Sequence, residues 1–253
     1  MMKNLKTILL LLTISIFGQS IAQTKTKIPV PSRETIEEFY DAIFADNTQK
    51  VLKMIGTKFP ANYEPKNKIL PLQAAIWQKN LTVVKALTEG GANINNPTLS
   101  VVDTAAEKGA FEILSYFIQK GAKISNKSFN IAGFYQSYNC AKLLLQKGAN
   151  QDGGDIRGKF WVFEQAVRKS DYEVLKALKL DKDEINYHNY DGETALIIAI
   201  KNKNIDMVKY LLQRGVDKNK PETFDAGDDI SYGKKPIQIA TKMKLTEIVK
   251  LLK

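Results

Sequence analysis

The sequence is poor in residues that staple, ligate or attack. Cys140 is the one cysteine in 253 residues. An intrachain disulfide is therefore excluded, and the fold must hold by packing. His188 is the one histidine. A metal site or a nucleophilic Cys–His pair would have to join two isolated residues from different kinds of segment, so no metal, no cofactor and no catalytic centre is expected. Cys140 is expected to be a small buried apolar side chain. Lys and Arg outnumber Asp and Glu by 37 to 27, a formal net charge of +10. That excess is scattered, with no run of five or more basic residues, so it does not mark a nucleic-acid arm.

Long apolar runs are also scarce. The stretch Ile8–Phe17 is shorter than the roughly 20 residues of a membrane span. It follows Lys3 and Lys6 and precedes the small residues Ser20 and Ala22, the pattern of a secretory signal cut after Ala22. Residues 1–22 are thus expected to be a signal peptide, and 23–33, with Pro29 and Pro31, a flexible lead-in. A periplasmic or secreted location follows, with no membrane span after cleavage. No cysteine follows the expected cut before Cys140, so nothing supports a lipid anchor.

What the sequence does have is self-similarity. Gly-Ala recurs at Gly91-Ala92, Gly121-Ala122 and Gly148-Ala149, with Gly215-Val216 as a relaxed copy. Each follows apolar residues at helical spacing, such as Val83, Val84 and Leu87. The glycine is placed to end that helix in a left-handed cap. Upstream of these lies a second helix marked by a small residue: Ala75, Ala105, Ala132, Ala166, Ala199 and Ala240. The spacing between markers centres on the roughly 33 residues of one particular repeat. A small side chain is needed there because two helices and a neighbouring repeat converge.

The best copy, Asn186 to Asn219, reads Asp191-Gly192-Glu193-Thr194-Ala195-Leu196 and then Asp206-Met207-Val208-Lys209-Tyr210-Leu211-Leu212. Others start at Pro71-Leu72 and Pro236-Ile237. Here the chain resembles the ankyrin-repeat family. The resemblance implies an all-α solenoid of stacked helix-turn-helix units with short finger turns. It covers about six full repeats, with residues 34–56 as a degenerate N-terminal cap, so that 34–253 form one repeat domain. The family's Thr-Pro-Leu-His becomes Leu70-Pro71-Leu72-Gln73 and Thr194-Ala195-Leu196-Ile197, without the histidine whose hydrogen bonds rigidify the array. Leu180-Asp181-Lys182 replaces Gly-Ala in one copy, so its loop should differ.

The same resemblance implies a concave binding face and no catalysis. Its contact positions, two and three residues after each marker alanine, give Trp77 and Gln78, Glu107 and Lys108, Phe134 and Tyr135, Arg168 and Lys169, Lys201 and Asn202, and Lys242 and Met243. The first half of this ladder is aromatic and the second basic. Tyr187, His188 and Tyr190 add aromatic tips on a finger. Aromatics and Arg most often dominate interface energy. The expectation is a monomer that binds a protein partner of unknown identity through an acidic patch, using Arg168, Lys169, Lys201 and Lys242. The competing reading is an anionic polymer or envelope surface, which the net charge permits. Export makes nucleic acid a poor candidate. An acidic loop from Pro221 to Gly233 lacks calcium-loop spacing and could fold back over the basic half of the ladder.

Overall fold

The computed structural model describes residues 30–66, 69–225 and 230–253. The expected signal and all but the last few residues of the lead-in fall outside them. The unit Pro31–Lys253 is a row of helix-turn-helix pairs. The pairs are α1 (Arg33–Phe44) with α2 (Thr48–Met54), α3 (Pro71–Trp77) with α4 (Leu81–Glu89), and α5 (Val101–Glu107) with α6 (Phe111–Gln119). Next come α7 (Ser128–Phe134) with α8 (Tyr138–Gln146), α9 (Arg157–Lys169) with α10 (Tyr172–Ala177), and α11 (Ala195–Lys201) with α12 (Ile205–Gln213). The last pair is α13 (Pro236–Lys242) with α14 (Thr246–Leu252). The odd-numbered helices pack in sequence, each on the next. Most even-numbered helices do the same on the other side.

One hydrogen bond repeats through the array. The carbonyls of Ala42, Ala75, Ala105, Ala132, Ala166, Ala199 and Ala240 each accept from the N–H five residues on, at 2.7–3.1 Å. The marker alanines therefore do two things. They let the helices approach, being at most 3% exposed, and they close the inner helix with a tight turn. Ala42 is the marker of the first pair. It lies one repeat length before Ala75 and was not singled out from the sequence. The residue just before each donor takes a left-handed φ: Asp46, Lys79, Gly109, Gln136, Ser170, Lys203 and Lys244. Only one of them is glycine, the residue that adopts this conformation without strain.

The outer helices end as the Gly-Ala pattern predicts. Gly91, Gly121, Gly148 and Gly215 have φ of 98°, 80°, 74° and 84°, and the following N–H bonds back to the helix. The α10 copy lacks that glycine. Leu178 caps it in an extended conformation, and a 3-10 turn, Glu184–Asn186, fills the connection. With no histidine in the motif, side-chain amides link the repeats. Asn95 accepts from the Lys123 N–H at 2.8 Å, Gln151 from that of Lys179 at 2.8 Å, and Asn186 from that of Asp217 at 2.7 Å.

Two departures from a uniform array matter. Helices α7 and α9 touch backbone to backbone. A Cβ on Gly158 would stand 2.0 Å from the Asn130 carbonyl, and one on Gly133 2.1 Å from the Gly158 carbonyl. The long step to the last repeat holds a hairpin, β1 (Thr223–Asp225) and β2 (Ile230–Tyr232), with Thr223 opposite Tyr232. Its first strand is tied to the preceding finger by Thr223 N–H to the Gly192 carbonyl, 2.9 Å.

Candidate interaction surface

The aromatic half of the expected ladder lies on the inner helices, and its rings are bridged to cations of the following repeat. Trp77 ends α3, half-buried, with Lys108 Nζ 5.7 Å from its ring centroid. Lys108 also pairs with Glu107 at 3.0 Å. Gln78 caps the helix and is exposed. Phe134 and Tyr135 are exposed, edge to face at 5.4 Å, with the Arg157 guanidinium 5.1 Å from the Phe134 ring. Hydrogen bonds to Asp155 hold Arg157 well above the usual arginine range, with Tyr190 a lesser cause. Tyr190 itself is 86% exposed. Arg157 is not among the sequence candidates, yet it places a cation from the next repeat over an exposed inner-helix ring.

The basic half differs from expectation. Arg168 and Lys201 are not bare cations. Arg168 binds Glu164 at 2.7 Å and Glu193 at 3.4 Å. Lys201 binds Glu193 at 2.6 Å and Glu222 at 3.1 Å. Burial disfavours the charged form of Lys201, but hydrogen bonds to Glu193 and Glu222 outweigh it and raise its pKa. The result is a charge-alternating chain from α9 to the hairpin. Glu164 and Arg168 stand four residues apart on one helix, the spacing at which side chains meet on a helix face. Glu193 and Glu222 come from a finger and an insert, and no local pattern announces them. Glu222 is the carboxylate by which the insert meets the ladder. Asp228 and Asp229 lie outside the described residues. Lys169 lies 5.6 Å from the Tyr138 ring. Asn202 and Lys242 are exposed.

Two finger candidates are committed inside the array. Tyr187 stacks on Phe160 at 4.0 Å, 19° from parallel. His188 Nε2 meets the Pro221 carbonyl at 2.8 Å, tying the finger to the hairpin. Both side chains are half-buried, Tyr187 against a ring of α9 and His188 against the connection that leads to the hairpin. Cys140 is buried on α8, and burial pushes its thiol up to about 11.

A buried cation was also missed. Lys159, in the first turn of α9, is 1% exposed and holds Asp152 at 2.9 Å and Glu184 at 2.8 Å. Burial alone would lower its pKa, but those hydrogen bonds outweigh it and hold the ammonium above its usual value. Among the described residues no group of His, Cys, Asp and Glu is arranged to hold a metal ion, and no helix is long and apolar enough to cross a membrane.

Stacked helix pairs joined by left-handed turns, with an inner row of contact side chains, define an all-α ankyrin-repeat solenoid. A family model for ankyrin repeats matches residues 163–253 as three copies. Ankyrin repeat protein FPV232 of fowlpox virus (strain NVSL) is 25% identical over 207 residues, which is 73% of this chain but 40% of that protein. FPV230 of the same virus is 26% identical over 185 residues, 72% of this chain and 84% of the relative. The ankyrin repeat domain of human ASB11 superposes with a TM-score of 0.55 at 17% identity, covering 85% of this chain and 97% of that one. That likeness speaks for the fold alone. Ankyrin repeats are in general protein-interaction architecture, whose function lies in exposed inner-face residues.

Proposed function

We propose that this protein is a non-catalytic binding module, exported from the cytoplasm, which grips a protein partner with the middle of its inner face. One observation carries the reading. Phe134, Tyr135 and Tyr190 stay exposed, and Arg157, held by Asp155, stands over the Phe134 ring. Large rings and an arginine held in place lose little side-chain freedom on binding, and these residue types supply most interface energy. The carboxylates on Arg168 and Lys201 narrow the acidic-patch reading to Lys169 and Lys242, so packing on the aromatics supplies most of the affinity. The same pairing weakens the case for an anionic polymer.

The test places a photo-crosslinking amino acid at Tyr190 and, as control, at Lys209 on the exposed outer side of α12. The protein without residues 1–22 is then exposed to native extracellular or periplasmic material. A saturable protein adduct from position 190 and not from 209, lost in Phe134→Ala, is the expected result. Equal adducts from both positions refute the reading. Salt-labile heparin binding with no protein adduct would favour the polymer instead. Export is tested by fractionation: Ser20→Arg/Ala22→Arg should retain the uncut precursor in or on the cell.

A further inference from the structure

The N-terminal end of the inner face holds a feature that the aromatic ladder does not use. A groove of about 1050 Å³ opens between α1, residues 64–66 and 69–70, and the loop before α5. Its α1 wall is Ile36, Tyr40 and Phe44, three residues at successive turns of one helix face. The Tyr40 hydroxyl donates to the Ile69 carbonyl, which fixes the ring. Phe44 is exposed and lies 6.3 Å from Tyr40, ring to ring. Leu70 and Leu99 continue the apolar lining. The volume lies just above the roughly 300–1,000 Å³ of small-molecule pockets and leaves room for a short peptide segment.

The rim carries a charge opposite to that of the chain. Although the sequence has a net charge of +10, Glu37, Asp41 and Glu64 line the groove against Lys66 among the described residues. Helix α1 as a whole carries Glu34, Glu37, Glu38 and Asp41 against one Arg33. Arg33 pairs with Glu37 at 2.8 Å, but both are largely in water, where such a pair is weak. Glu64 is held by the Asn96 amide at 2.8 Å, so its position is fixed. Gln73 on α3 borders the groove and stands one helical turn before Trp77, so groove and ladder form one continuous surface.

We propose that this groove docks a segment of the partner protein in which a large apolar side chain is flanked by lysine or arginine. The apolar side chain enters between Tyr40, Phe44 and Leu70, and the cations meet Asp41 and Glu64. The proposal rests on the binding-module reading above and adds a partner chemistry that the ladder cannot supply. An acidic segment would face like charge here, a mismatch that lowers both association rate and affinity.

Two fluorescein-labelled nonapeptides with identical apolar residues, one carrying lysines and the other glutamates, test it by anisotropy on the protein without residues 1–22. The lysine peptide should bind, and the glutamate peptide should bind at least about tenfold more weakly. Asp41→Lys/Glu37→Lys should reverse the preference and Phe44→Ser should weaken both peptides, with urea midpoints confirming that each variant is folded. Equal binding, no binding to the wild type, or a preference that survives charge reversal overturns the proposal. So does a sedimenting dimer that Phe44→Ser dissociates, because the groove would then be covered by a second copy. Neither peptide involves Tyr190. A failed peptide experiment beside a specific crosslink at position 190 therefore condemns the groove alone.

Discussion

Replacing Lys159 tests how the middle of the array is held. Its ammonium is 1% exposed and lies between Asp152, 68% exposed, and Glu184, 18% exposed. Removing one partner of a buried ion pair leaves the other charge uncompensated and costs about 3–5 kcal/mol. Asp152 can turn to water, and Glu184 also accepts from the Asp181 N–H at 2.9 Å. Lys159→Ala should therefore fall at the lower end, about 3 kcal/mol. Lys159→Met keeps most of the packed stem and should cost about 1–2 kcal/mol, the residual penalty for Glu184. Lys159→Met/Glu184→Met should recover most of that, because a well-packed apolar pair often replaces a buried ion pair without loss.

The assay is urea unfolding followed by Trp161, which lies on the same helix as Lys159, in a Trp77→Phe background. A local probe is needed because repeat arrays can unfold in segments. In thermal unfolding, Lys159→Ala should lower the local transition by about 6–12 °C. The raised Lys159 pKa sets the pH dependence. The stabilisation is complete below the ordinary lysine pKa and is lost as pH rises through the higher folded value, so the gap between wild type and Lys159→Met should persist across neutral pH. Added salt should not close it, as buried pairs are poorly screened. A Lys159→Ala protein as stable as wild type would refute the reasoning.

Three further outcomes are expected. Lys203→Gly should stabilise the protein by up to about 1 kcal/mol in urea, since a left-handed φ of 57° costs a side-chain-bearing residue about 1–2 kcal/mol and glycine returns part of that as unfolded-state entropy. Asp171 should contribute to acid resistance. Burial raises its pKa, but Lys142, the Val174 N–H and Tyr138 outweigh this and lower it. Its stabilisation is present above the usual carboxylate range and lost as pH falls through the depressed value, so Asp171→Asn should flatten the acid limb of a stability–pH curve. Cys140, buried with its thiol at about 11, should resist iodoacetamide at pH 8 in the native protein and react at once in urea.

Periodic information was legible in the sequence and cross-repeat information was not. Marker alanines, Gly-Ala caps and apolar faces recur within one helix or one turn, so their physics is local and spacing exposes it. Ala42 falls in residues 34–56, which read as a degenerate cap because their apolar faces carry no recognisable repeat phrase. The ladder positions came from counting two and three residues past each alanine. That counting places side chains, but it does not say what they meet. Arg168 and Lys201 read as a basic stretch until Glu193 and Glu222 arrive from a finger and a hairpin. Lys159 carries no local mark of burial, because its partner Glu184 arrives from the next repeat's 3-10 turn.

The same distinction explains why the inner face differs from end to end. Nearest-neighbour stacking constrains the alanines and the apolar seam in every repeat, but it leaves ladder and finger residues free to choose partners. In the C-terminal half they choose one another, and the chain from Glu164 to Glu222 neutralises that surface and fastens the hairpin. In the middle Arg157 stands over the Phe134 ring, and Phe134, Tyr135 and Tyr190 stay exposed. At the N-terminal end, α1 has no inner helix before it among the described residues, so Ile36, Tyr40 and Phe44 line an open groove rimmed by carboxylates. A ligand that followed the net charge of the whole chain would be acidic. One that followed the local surface would bring rings or aliphatic groups to the middle and a cation to the N-terminal end. Local surface governs contact energies at a few ångströms, whereas net charge acts through a screening length of about 8 Å at physiological salt, so the local pattern decides which partner stays bound.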